Sequence, residues 1–366
     1  MATGLVWHER TMWHDTGSGA AELPSGGWIE PHAHFENPAT KRRLKNLLDA
    51  TGLTEQLTVL RPRPATVEEI CRVHERAYVE RVAVLSAGHG GDMGDEAIVG
   101  NGSYEIALLA AGGVIRAVDA TLDGVVENAY ALVRPPGHHA LSDRGMGFCL
   151  FGNVAVAVRH AQVERGVGRV AVVDWDVHHG NGTQAAFWDD PSVLAISLHQ
   201  DGCYPQGSGA REERGSGRGE GATLNVPLPA GSGRGAYLAA LDQVVVPALE
   251  RFRPELIVIA CGLDAGGFDP LGRMQLSAAA FGEMTARLLD AAARLCGGRL
   301  VAAHEGGYSA DHVPFCGLAV IEALSGLDAG VDDPFAYVDG QGGQELQPHQ
   351  RDAVEAAARL VEGVPA

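Results

Sequence analysis

Cationic charge is scarce in this chain. Lys and Arg number 28 against 46 Asp and Glu over 366 residues, a formal net charge of −18. The basic stripe that nucleic-acid binding requires is therefore missing. The acidic balance reads as a solubility device ahead of an attraction for cationic substrates. Paired cysteines are missing too. Cys71, Cys149, Cys203, Cys261, Cys296 and Cys316 are scattered without a C-x-x-C pair, the pattern of buried, reduced thiols in a cytosolic protein. No apolar run approaches membrane-spanning length. Residues 1–15 carry His, Glu, Arg and Asp in place of an apolar signal core, so a cytoplasmic protein without nucleic-acid or membrane partners is expected. No Pro/Ser-rich linker, charge block or internal repeat divides the chain, and a single domain over residues 1–366 is expected. Phosphate cradles are absent as well: there is no G-x-x-x-x-G-K-[ST], and no G-x-G-x-x-G joins a strand to a helix. The Gly-rich stretches 88–96 and 207–221 read as surface loops able to flank a pocket mouth.

What the sequence does contain is ordinary globular material, 46% hydrophobic and 20% charged, in an alternating order. Short β-branched runs at 129–133, 170–174, 193–198, 256–261 and 299–303 predict strands. Longer helical patterns at 103–122, 153–164, 235–252, 277–296 and 351–362 fall between and after them. Such alternation predicts an α/β fold, a mainly parallel sheet with helices on both faces. Ligands in such folds bind beyond the carboxyl ends of the strands. All five strands run out into polar, Gly-rich turns: RPPGHH after Val133, the DWDVHHGNG string opening at Asp174, His199 after Leu198, GLD after Cys261 and HEGGY after Ala303. A scaffold that needed only loops would not load one rim with His, Asp and Tyr.

The string at Asp174 carries the strongest chemistry. Asp176 and His178 are two apart, so in extended chain their side chains face a common point, with Asp174 behind them. A carboxylate and an imidazole suit a divalent transition metal, zinc first. Asp264, at the same rim, is the natural third ligand and completes an O, N, O set with a position open for water or substrate. That set accommodates Fe²⁺ as well as Zn²⁺. Two carboxylates nearly neutralise a dication, so a general base is needed nearby, and His138 and His139 follow a rigid Pro-Pro-Gly turn. One would take a proton from water, and either could protonate a leaving amine. Tyr308 follows Gly306-Gly307, which lets backbone approach closely and the ring swing inward. Its phenol suits an oxyanion beside a metal.

The strings 134–140 (RPPGHHA), 145–153 (GMGFCLFGN), 174–183, 262–272 (GLDAGGFDPLG) and 304–309 (HEGGYS) resemble the histone deacetylase family, most closely its class II-like bacterial amidohydrolases. The resemblance spans nearly the whole chain. It implies the arginase/deacetylase fold and hydrolysis of an acetyl-amide on an extended cationic side chain, acetyl-lysine being the type substrate. It makes Asp176, His178 and Asp264 zinc ligands, His139 the general base, His138 its electrostatic partner and Tyr308 the carbonyl-polarising donor. Phe148 and Tyr204 become walls of a narrow substrate channel with Gly147 at its floor and Gly306 beside the site; the family usually has Phe where Tyr204 stands. A potassium ion is implied at Asp174, Asp176, His178, Ser197 and Leu198, partly through backbone oxygens. The resemblance also points to homo-oligomers, dimer or tetramer.

Three positions refine this picture. Same-fold ureohydrolases carry a second Asp, for a second manganese, where this chain has Gly266. Class I deacetylases place an Asp where this chain has Asn181, and a neutral amide stabilises imidazolium less, so His139 is expected to stay neutral. Leu271 stands where one polyamine-specific branch has Glu. Acetylpolyamine hydrolysis nonetheless stays open, because Asp92, Asp95 or Glu96 supplies loop carboxylates; Asp95 is the candidate to grip substrate backbone or amine. A domain that binds acyl-lysine without turnover is the non-enzymatic alternative, and the joint presence of the ligands, the His pair and Tyr308 speaks against it.

Overall fold

A computed structural model describes residues 2–20 and 23–366. Its centre is an eight-stranded sheet, parallel throughout. In chain order the strands are β1 (Thr3–Val6), β2 (Thr58–Leu60), β3 (Asn128–Ala131), β4 (Val170–Asp174), β5 (Val193–Gln200), β6 (Thr223–Leu228), β7 (Leu256–Cys261) and β8 (Leu300–His304). Across the sheet they run β6-β5-β4-β7-β8-β3-β1-β2. The chain thus moves outward from β4 through β5 to β6, then returns to insert β7 on the other side of β4. The strand order reverses at the β4–β7 boundary, where α/β folds form their ligand crevice.

Both faces of the sheet are covered, and alternation along each strand sorts the side chains. Ala171 and Val173 of β4 and Ile257 and Ile259 of β7 join one core; Val170, Val172, Leu256 and Val258 join the other. The first core is closed by Phe281, Met284 and Leu288 of the helix Ala278–Cys296, whose three- and four-residue spacing makes a single apolar stripe. Ser277 caps that helix, accepting from Ala280 N at 3.2 Å. The second core is closed by helices Ser103–Leu122 and Asn153–Arg165.

The predicted strands all form, shifted by a residue or two at 129–133, 193–198 and 299–303. The helix expected at 235–252 is continuous but contains a π-helical turn, Leu241–Val245, just before Pro247. Proline cannot donate to the preceding turn, and the ladder widens there. The helix expected at 351–362 begins earlier, at Pro348, and ends at Ala358. The Gln347–Gln350 capping box and the preset φ of Pro348 at the first turn fix its start.

Candidate active site

The string after β4 folds back on its own carboxylates. Asp176 N donates to Asp174 Oδ1 at 3.0 Å, and His178 N donates to Asp176 Oδ1 at 2.9 Å. These short Asx-type turns point Asp176 and His178 to one side. From β7, Asp264 arrives with its Oδ1 accepting from Val177 N at 2.8 Å. From β8, Gly306 N donates to Asp176 Oδ2 at 2.9 Å. A Cβ at position 306 would lie 2.1 Å from Asp264 Oδ2 and 2.5 Å from Asp176 Oδ2, so only glycine fits beside the two carboxylates.

One ligand atom from each of Asp176, His178 and Asp264 falls within 4.8 Å of the others, and all three residues are buried. His178 Nδ1 lies 3.0 Å from Asp176 Oδ1 and 3.3 Å from Asp264 Oδ2. Asp264 Oδ2 is buried without a hydrogen-bond partner. Burial and the neighbouring Asp176 push the Asp264 carboxyl up to about 7. Two dry carboxylates facing one another are unfavourable without a cation between them. The donor set, its charge and its orphan oxygen all fit a divalent metal.

The His pair is braced from behind. Glu305 Oε2 accepts from Gly137 N at 2.6 Å and His138 N at 3.1 Å. His138 Nδ1 meets Asp174 Oδ2 at 2.9 Å, and His139 Nδ1 meets Asn181 Oδ1 at 2.7 Å. Asn181 Nδ2 donates to Met146 Sδ at 3.3 Å, which turns the amide oxygen toward His139. An acceptor at Nδ1 requires the proton there, so the Nε2 lone pair of His139 is left for the channel. The two rings lie 3.9 Å apart, centre to centre. Burial disfavours charge on both. For His138 the carboxylates of Asp176 and Asp174 overcome it and raise the imidazole to about 10. For His139 burial is reinforced by His138 and His178, and its basicity falls well below the usual range. Adjacent groups driven in opposite directions suit an acid–base pair.

A cavity of about 220 Å³ opens over this set. Tyr204 meets His139 edge-to-face at 4.9 Å, and Phe148 meets Tyr308 likewise at 5.7 Å, forming two walls. Leu271 lines the cavity with them. Gly147 lines the cavity too, and a Cβ there would come within 2.5 Å of His139 Cδ2 and 2.9 Å of Tyr204 Cε1, so a side chain is barred at that position. Tyr308 N donates to Asp269 Oδ2 at 2.7 Å. Burial, then the Asp264 and Asp176 carboxylates, raise its phenol well above the usual range, so it remains a proton donor. Asp95 stands at the rim, bonded to the Tyr204 hydroxyl. Asp174 and Ser197, neighbours across the β4–β5 pairing, border a smaller cavity behind the site; Leu198 is buried beside them.

Several residues here were not singled out from sequence. Cys203 lines the cavity one position before Tyr204. Glu305 and Asp269 sit inside the HEGGYS and GLDAGGFDPLG strings, which was the available signal. Lys41, only 1% exposed and with Nζ 5.7 Å from the Tyr308 ring centre, has no sequence signal at all.

Known proteins resemble this chain over most of its length. Residues 34–324 match the histone deacetylase domain family. The chain is 55% identical over 335 residues to a histone deacetylase-like amidohydrolase of Pseudomonas aeruginosa, covering 91% of this chain and 88% of that protein. It is 38% identical over 345 residues to a probable deacetylase of Archaeoglobus fulgidus, covering 92% and 90%. Among solved structures, the crystal structure of the HDA15 HD domain superposes with a TM-score of 0.85 at 33% identity, covering 98% of this chain and 94% of that one.

Proposed function

The chain belongs to the histone deacetylase family, has its arginase/deacetylase fold and is an amide hydrolase of the deacetylase type; from that premise we propose a zinc-dependent enzyme that removes acetyl groups from acyl-lysine or similar N-acyl amines. The observation that carries the reading is the buried, orphaned Asp264 Oδ2 converging with Asp176 and His178 on one point. Asp176, His178 and Asp264 would hold the ion, Zn²⁺ or Fe²⁺, with positions left for water and the substrate carbonyl. When bound, the metal supplies positive charge that polarises the carbonyl and acidifies water.

The remaining steps belong to the protein's own side chains. His139, neutral and with Nε2 toward the channel, takes a proton from water as its oxygen bonds to the acyl carbon. The Tyr308 hydroxyl donates to the carbonyl oxygen as that atom gains charge. His138, held charged by Asp174 and Asp176, stabilises the developing anion. The C–N bond then breaks, and the amine leaves with the proton that His139 received. Phe148 and Tyr204 enclose the aliphatic linker. Asp174, Asp176, His178, Ser197 and Leu198, partly through backbone oxygens, are our candidates to hold a structural potassium ion behind the site. A cytoplasmic homo-oligomer completes the reading.

A second reading has its own observation. Glu96 lines the cavity and Asp95 stands at its rim, carboxylates that would suit a polyamine's distant ammonium, whereas Leu271 offers no charge. Turnover of an acetyl-lysine peptide against N-acetylputrescine decides between them. We expect the peptide to be preferred and both activities to vanish after chelation; preference for the polyamine supports the second reading, and activity in fully chelated enzyme contradicts both.

Asn181 gives a pH prediction. Its neutral amide supports imidazolium at His139 less than a carboxylate would, and burial with the neighbouring His138 and His178 keeps the base unprotonated to low pH. In Asn181→Asp a carboxylate would favour the protonated ring and raise its pKa. Because activity needs the neutral ring, the acidic limb of the kcat–pH profile should move to higher pH. A limb that stays in place or moves lower would refute the assignment of His139 as base.

A further inference from the structure

A separate cavity, of about 430 Å³, opens where the loop 207–221 meets the end of the helix Pro348–Ala358. It shares no lining residue with the channel. Its walls carry three guanidinium groups, Arg211 and Arg214 from the loop and Arg359 just past the helix. None of the three enters an ion pair among the described residues. Acid is plentiful in a chain of net charge −18, and Arg134, Arg159, Arg165 and Arg234 each meet a carboxylate. Like charges around one hollow repel, and charged donors short of acceptors are costly.

The cluster is held in place from two sides. Arg214 Nη2 donates to Leu360 O at 3.4 Å, and a Cβ at residue 363 would lie 2.1 Å from the same nitrogen, so the turn after the helix is drawn tight against the guanidinium. That contact uses one edge of Arg214. Its Nε is buried with no hydrogen-bond partner, and Arg211 has no share in the contact. Between the two loop arginines, Glu213 points back into the protein: its Oε2 accepts from Gln184 Nε2 at 2.6 Å and from Gly209 N at 3.2 Å. The loop is thereby pinned, and Arg211 and Arg214 are positioned before any ligand arrives.

We propose that Arg211, Arg214 and Arg359 form an anion site, separate from the active site, that takes a diphosphate group. Planar guanidinium groups suit phosphoryl oxygens, which they bind two at a time. Three of them around so wide a hollow exceed what a single phosphate needs. The lining holds no aromatic ring, so a base carried on the diphosphate finds nothing to stack on. The one carboxylate on the lining, Glu212, opposes the ligand and sets a limit on its affinity.

The test is calorimetric titration of the metal-loaded full chain with pyrophosphate at fixed ionic strength. Wild type should show one saturable site with a Kd of about 1 mM or tighter, and sulfate should bind at least about tenfold more weakly, having one charged centre to offer in place of two. Arg211→Gln/Arg359→Gln should weaken pyrophosphate at least about tenfold, the scale of lost hydrogen bonds to charged groups. Arg218→Gln, exposed on the same loop but outside the lining, should bind as wild type does. Glu212→Gln should tighten binding about two- to fivefold, and it decides the matter if the double variant does not fold. ADP should bind no tighter than pyrophosphate. Absence of saturable binding, or binding that survives in a folded double variant as binding to the catalytic metal would, overturns the proposal. So does a Glu212→Gln protein that binds no tighter, or a preference for ADP, which would make the nucleoside the recognised part. Binding is read without turnover, so failure of the hydrolase reading would leave this result standing.

Discussion

Replacing Asp264 with Ala should leave the purified protein without bound metal and reduce turnover by ~10³ or more. The size follows from the several kcal/mol that a metal contributes to stabilising transition-state charge, at about 1.4 kcal/mol per tenfold in rate. Asp264 is the ligand to choose because its two oxygens have separate duties. Oδ1 accepts from Val177 N, fixing the turn after β4, while Oδ2 has no hydrogen-bond partner and faces Asp176 and His178. Alanine removes both. Asp264→Asn keeps an acceptor for Val177 N but removes the charge, so it should stay folded by circular dichroism and still bind metal far more weakly. Asn variants that fold, bind metal at wild-type affinity and turn over normally would show that the carboxylate is not a ligand.

Tyr308→Phe should keep the metal and lower kcat by ~10²–10³, the cost of removing one oxyanion donor. KM should change little, because the donor matters most once the carbonyl oxygen becomes negative. The substitution is local: Asp269 holds the backbone of residue 308 through its amide, and the Phe148 ring still has an edge-to-face partner. Metal content measured on the same sample separates this loss from that of Asp264→Ala. A Phe variant within a few-fold of wild type would assign the polarising role elsewhere.

Much of this site is legible because parallel α/β folds gather function at the strand ends. Asp176 and His178 share a two-residue period at the end of β4, and β7 is its sheet neighbour, so placing Asp264 beside them needs only strand adjacency. What stayed hidden depends on pairings with no local period. Arg134 is fully buried and donates through Nε to Glu36 at 2.8 Å, across 98 residues. The same carboxylate serves Lys41 at 3.6 Å; burial pushes the Lys41 ammonium pKa down, and Glu36 partly restores it. Nothing in a sequence window announces that one carboxylate answers two buried cations beneath Tyr308. Gly147 illustrates a subtler point. Its string fitted the channel, but the close approach of His139 and Tyr204 that bars a side chain there has no sequence signal. The strands missed from sequence, β1, β2 and β6, are short or carry Pro227, and β2 and β6 are the edges of the sheet, where patterning is weakest.

The most direct measurement is a metal titration of chelator-stripped protein, with ion content by mass spectrometry and deacetylation followed in the same tubes. Activity should be absent at the start, rise in proportion to added Zn²⁺ and level off near about one ion per chain, as a single O, N, O site requires. Full turnover in the stripped protein, or a loaded protein whose bound ion survives unchanged in Asp264→Ala, would contradict it.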